Sequence, residues 1–204
     1  MDCTVQNAGM QTGRPLEFDP QLALDAAMGV FWQRGFEATS LSDLLAAMGL
    51  SKSSFYNAFG SKQQLFEACL VRFRGRHVER MREMLRSAAS ALAFVREMLL
   101  TNAREAREPG PRRGCLIMNT ATEFAGRDAA VAACVADAAR DFAGVFRTAI
   151  EMAREHGEIP READPEVLAR YLLTTMAGLR TMVKAGLPAD ELEKVVEVAM
   201  GALH

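Results

Sequence analysis

The chain has 204 residues, half of them apolar and a quarter charged, with a formal net charge of −2. That supplies one substantial core, or a small domain joined to a larger one, and argues against an intrinsically disordered chain. No apolar run reaches about 18 residues and Met1–Pro15 is polar and Gly-containing, so neither a membrane span nor a signal peptide is expected; residues 1–15 are predicted to be a flexible arm on a cytoplasmic protein.

Apolar residues recur at helical spacing throughout, and no run alternates as a strand would, so the fold class is all-α with about nine helices. Asp19 followed by Pro20 predicts the first helix, with Leu24, Ala27, Met28 and Phe31 on one stripe and Gly35 as its stop. Ser40 and Asp43 have capping-box spacing and open a short helix carrying Leu41, Leu44, Leu45 and Met48, closed by Gly49. Ser51 caps a third helix of about two turns that ends at Phe59-Gly60. Ser61 through Gln64 forms a second capping-box pattern and starts a long helix reaching about Arg86.

A helix is then expected over 88–107, a loop at Glu108-Pro109-Gly110-Pro111, and a shorter helix over 114–125. A longer one over 127–155 carries Val131, Val135, Ala138, Phe142, Val145, Phe146, Ala149 and Ile150 on one side. Asp164-Pro165 repeats the cap-plus-proline signal for a helix ending at Gly186, and the last helix spans 189–203.

Charge is unevenly spread. From Leu50 to Arg86 there are eight Lys and Arg against three Glu, whereas from Ser87 onward fourteen basic residues face seventeen acidic ones. A basic N-terminal third suits a nucleic-acid partner, and it also suits an ordinary solvated helix face. Four cysteines (Cys3, Cys69, Cys115, Cys134) include no Cys-x-x-Cys pair and have no metal-ligand spacing with His77, His156 or His204, so no metal, cofactor or disulfide framework is implied.

The two short helices either side of Gly49-Leu50-Ser51 have helix-turn-helix spacing. On the second, Phe55 and Phe59 share a face that can pack on Leu45 and the first helix. Lys52, Ser53, Ser54, Tyr56 and Asn57 are then left outside. Small hydroxyls permit close approach to base edges, Asn57 can bond adenine bidentately, Lys52 can reach guanine or phosphate, and Tyr56 offers a hydroxyl to phosphate. Lys62 adds charge at a helix start where amides also favour phosphate. Spacing alone also fits a helical protein with a Gly turn and exposed polar residues.

The run Leu24, Ala27, Phe31, Gly35-Phe36-Glu37-Ala38-Thr39-Ser40, Met48-Gly49-Leu50-Ser51, Phe55-Tyr56, Phe59 and Ser61-Lys62-Gln63-Gln64-Leu65-Phe66 resembles the TetR/AcrR family over about 50 residues. Gly114-Cys115-Leu116 followed by Asn119-Thr120 is similar to a segment of one branch. The resemblance implies a DNA-binding domain over 16–62 and a ligand-binding, dimerising domain over 63–204. It implies a DNA-contact set of Thr39, Ser40, Ser51, Lys52, Ser53, Ser54, Tyr56, Asn57 and Lys62, with Thr39 or Ser40 capping a helix. It further implies a homodimer on double-stranded operator DNA, released by a small-molecule effector, with no catalytic activity.

Two C-terminal stripes, Leu168, Leu172, Leu179 and Val183 with Leu192, Val196, Met200 and Leu203, suit a four-helix dimer bundle or packing within one chain. Phe94, Met98, Met118, Phe124, Phe142, Phe146 and Met176, with Arg180 as polar anchor, are the effector-site candidates, and they suit an apolar or aromatic molecule. Cys115, near Arg112 and Arg113, offers a second reading as an electrophile or oxidant sensor. A helical enzyme or adaptor without DNA binding is the remaining alternative, although no phosphate loop, His-Glu-x-x-His pair or dinucleotide Gly pattern is present.

Overall fold

Asp19 accepts hydrogen bonds from the Gln21 and Leu22 amides, and Pro20 occupies the first turn of α1 (Pro20–Arg34), as the sequence predicts. The computed structural model describes residues 18–124 and 126–204, so the expected arm and Cys3 lie outside the described residues. Nine α-helices follow one another among those residues: α1, α2 (Leu41–Met48), α3 (Lys52–Phe59), α4 (Lys62–Ser87), α5 (Ala91–Arg104), α6 (Leu116–Phe124), α7 (Ala129–Glu155), α8 (Pro165–Ala185) and α9 (Ala189–Gly201). A single 3-10 turn over Glu105–Arg107 extends α5.

Several boundaries differ from expectation. Ser90, extended and accepting from the Ala93 amide at 3.2 Å, is the true cap of α5, so the helix opens at Ala91 rather than 88. Gly114 takes φ +68°, a left-handed value that holds it outside α6. The last helix ends at Gly201, short of Leu203.

The chain divides into two compact units. The first comprises residues to Phe73 together with Asn119–Asp137, and the second Arg74–Met118 with Ala138–His204. The core of the first is aromatic: Phe31 meets Phe66 edge-on at 4.9 Å, Phe36 lies 5.0 Å from Phe66 and 5.3 Å from Phe124, and Phe66 stacks on Phe124 at 5.6 Å. Arg72 binds both carboxylate oxygens of Asp25 at 2.7 Å, tying α4 to α1.

In the second unit Phe94, Val95, Leu99, Phe146, Ala149, Ile150, Leu172, Val183 and Val196 are essentially sealed from solvent. Glu158, beyond the end of α7, accepts hydrogen bonds from the Ala91 and Leu92 amides, each at 3.2 Å. Burial raises its carboxyl, but the Ser90 hydroxyl and those two amides outweigh it and leave the group below its usual range. A residue remote in sequence thus satisfies two of the orphan N–H groups that every helix start exposes. Along the outside, Arg96 pairs with Glu197 at 2.5 Å, Arg107 pairs with Asp190 at 2.5 Å and also with Glu193, and Arg104 approaches Glu193 at 3.9 Å, joining α5 to α9.

The two C-terminal stripes point inward except at Leu168, which is partly exposed. Leu172, Leu179, Val183, Leu192, Val196, Met200 and Leu203 are all buried within the single chain, so packing in the monomer accounts for them. The apolar residues left exposed on these helices are instead Val167 and Met182 on α8 with Val195 and Val198 on α9, between 41% and 73% accessible.

Candidate nucleic-acid interface and effector region

Ser40 builds the start of α2. Its hydroxyl accepts from the Asp43 amide at 3.1 Å while its own amide donates to Asp43 Oδ2 at 3.0 Å, a complete capping box. Hydrogen bonds from the Ser40 hydroxyl and amide, then from Arg34 at 2.7 Å, hold the Asp43 carboxyl down to about 2. Thr39 has a different task from Ser40: it is buried, and its hydroxyl donates to the Gly35 carbonyl at 2.6 Å.

Gly49 takes the left-handed conformation at φ +66°, ψ +31°, and so turns the chain between α2 and α3. Ser51 then caps α3 by accepting from the Ser54 amide at 3.1 Å. Phe55 is fully buried and Phe59 half-buried, while Lys52, Ser53, Tyr56 and Asn57 are exposed on the other side and Ser54 lies at the margin. The partition of α3 into an aromatic inner face and a polar outer face is the one the sequence predicts. Ser61 accepts from the Gln64 amide at 3.1 Å and starts α4, whose first residue, Lys62, rests its ammonium 4.2 Å over the Phe36 ring.

One contact in this unit was invisible in the sequence. The Glu123 carboxylate, near the end of α6, accepts from the Phe36 amide at 3.0 Å and the Glu37 amide at 2.8 Å. A Cβ at Gly35 would lie 3.0 Å from both Glu123 oxygens, and Gly35 holds φ +85°, so glycine permits both the turn and the close approach.

Phe94, Met98, Phe142, Phe146, Met176 and Arg180 fall together in the second unit, with Met118 at the edge of its chain segment; Phe124 belongs to the aromatic core of the first. The Phe94 and Phe146 rings are 6.1 Å apart. Arg180 is largely buried, donating from Nη1 to Asn102 Oδ1 at 2.8 Å and from Nη2 to the Gly114 carbonyl at 2.9 Å, with Glu105 at 3.4 Å. Asn102 and Glu105 carried no local signal in the sequence. His77, edge-on to Phe142 at 4.9 Å, is held down to about 4 by burial and then by the positive charges of Arg180 and Arg80.

Cys69, Cys115 and Cys134 are buried thiols, and burial pushes Cys69 far above the normal range. Among the described residues no group of His, Cys, Asp and Glu could hold a metal ion, and no helix is long and apolar enough to cross a membrane.

Residues 23–69 match the model for bacterial regulatory proteins of the tetR family, and residues 91–198, more than half of the chain, match the tetracyclin repressor-like C-terminal domain. The chain belongs to the TetR family. This member is 30% identical to the HTH-type transcriptional repressor ComR of Escherichia coli (strain K12) over 92% of its length and 88% of ComR. It is 29% identical to the HTH-type transcriptional regulator YezE of Bacillus subtilis (strain 168), over 94% and 99% of the two chains. Among solved structures it resembles CifR, a TetR family transcriptional regulator, as a cysteine mutant complexed with a 26-base-pair double-strand operator DNA. That match has 34% identity and a TM-score of 0.79, and covers 94% of this chain and 100% of the other.

Proposed function

We propose that this TetR-family regulator is a homodimeric cytoplasmic repressor, bound through α3 to a two-fold symmetric operator and released by a small molecule. The observation that carries the reading is the division of α3, where a fully buried Phe55 fixes the helix and turns Lys52, Ser53, Tyr56 and Asn57 outward. In the assignment we favour, Lys52, Ser53, Ser54 and Asn57 face the major groove. Tyr56 and Lys62 bind phosphate, and Ser40 and Ser51 present the starts of α2 and α3 to the backbone. Thr39 supports the same surface from inside, through its bond to Gly35.

The exposed apolar residues of α8 and α9 supply a self-complementary face for a two-fold dimer. Effector binding in the second unit favours a dimer whose α3 helices no longer match successive major grooves, about 34 Å apart on B-DNA. Transcription of the repressed genes then begins.

Selection of genomic fragments by the purified chain tests this reading. Recovery of a two-fold symmetric duplex is expected. Failure of the folded protein to prefer any duplex over random competitor at moderate salt overturns it.

A further inference from the structure

Arg180 presents an unusual balance of donors. A guanidinium has five N–H bonds and no acceptor. Two of its nitrogens are engaged by Asn102, the Gly114 carbonyl and Glu105, whereas Nε is sealed from solvent and has no hydrogen-bond partner. Buried polar donors are almost always paired, and an exception on a charged group asks for an explanation.

The surroundings say what would satisfy it. The side chain of Arg180 is 11% exposed, and the one carboxylate paired with it, Glu105 at 3.4 Å, is itself 31% exposed. The positive charge is therefore only partly offset. A neutral carbonyl could accept from Nε, but a carboxylate would also neutralise the remaining charge, and arginine forks select that group by geometry. The flanks are apolar and adaptable. Met176 lies one helical turn before Arg180, Met98 touches Asn102 through its carbonyl and sulfur, and Phe142 backs His77.

We propose that Arg180 is the anion-recognition residue of the effector site, and that the effector is a small monocarboxylic acid with an apolar or aromatic body whose carboxylate accepts from Nε. This rests on the effector-responsive reading above and narrows its ligand class. The acid's carboxylate takes the place beside Nε, and its body lies against the methionines.

Thermal unfolding of the purified full chain with benzoate, 4-phenylbutanoate and octanoate, each beside its primary amide, tests the proposal. At least one acid is expected to raise the midpoint by several degrees, the matching amide to do nothing, and Arg180→Gln to abolish the shift. Arg180→Lys should bind the active acid at least tenfold more weakly. No shift with any of the three acids, an equal shift with acid and amide, or a shift retained in Arg180→Gln would overturn it. The acid–amide comparison uses the unaltered chain, so it remains decisive even if Arg180→Gln fails to fold. Operator selection on the same preparation separates the two readings: duplex binding with no acid effect defeats this inference alone, and acid binding without any duplex preference defeats the repressor reading and leaves the site.

Discussion

The carboxylate of Glu123 accepts a hydrogen bond from the backbone amide of Phe36, 87 residues earlier in the chain, at 3.0 Å. With the neighbouring bond from Glu37 it pins the turn that leads from α1 into α2. Charge-assisted hydrogen bonds of this kind contribute roughly 1.5–3 kcal/mol each where they are shielded. Glu123→Ala should therefore destabilise the first unit and release the Phe36 and Glu37 amides to hydrogen exchange at least tenfold faster. Unchanged exchange at those two amides would show that the turn holds itself.

Lys52 is exposed, so its removal should cost little stability. If it neutralises a phosphate, Lys52→Ala should flatten the dependence of log affinity on log salt by about one unit. Titration of a recovered operator at several salt concentrations reads this directly, and an unaltered slope would exclude a backbone contact.

Val198 is 73% exposed, the most accessible of the large apolar residues among those described. Val198→Asp should leave the helical content intact and shift the protein from dimer to monomer in sedimentation analysis. A dimer that persists at micromolar concentration would place the interface elsewhere.

His77 makes the fold sensitive to mild acid. Its imidazole titrates near 6.5 when unfolded and at about 4 in the folded chain, because burial, then Arg180 and Arg80, disfavour the charged form. As pH falls below about 6.5 the unfolded chain takes up the proton first, so stability is complete above that value and is lost progressively toward pH 4. The loss from this group amounts to at most about 3 kcal/mol. Urea unfolding of His77→Gln should show a flatter profile than the parent between pH 6.5 and 4, and parallel profiles would refute the assignment.

The features legible in the sequence were those set by neighbours within a turn or two. Asp19-Pro20, Ser40 with Asp43, Ser51, Ser61 and Asp164-Pro165 each cap the helix they announce, because a cap is a bond to an amide two or three residues on. The inner and outer faces of α3 followed from Phe55 and Phe59 alone.

What stayed hidden depends on partners distant in the chain. Glu123 and Glu158 bond amides more than 60 residues away, and nothing in their local sequence separates them from any surface glutamate. The stripes of α8 and α9 had the right period for either a bundle or a monomer core; only the packing of the single chain over Leu172, Val183 and Val196 decides between them. Ser90 caps α5 three residues beyond Ser87, whose hydroxyl donates back to the Glu83 carbonyl at 2.9 Å.

The arginines of α5 and of the 3-10 turn that extends it meet the acids of α9 in reverse order, Arg107 with Asp190 and Glu193 at one end and Arg96 with Glu197 at the other. Such a ladder works as a vernier: sliding α9 by one turn, about 5.4 Å, would misalign every rung at once. Because the rungs stand in water, each adds little to stability and weakens as ionic strength rises. The last helix is thus indexed by rungs that only mark its position, while the buried Leu192, Val196 and Met200 hold it there, so concentrated salt should erase the rungs without releasing the helix.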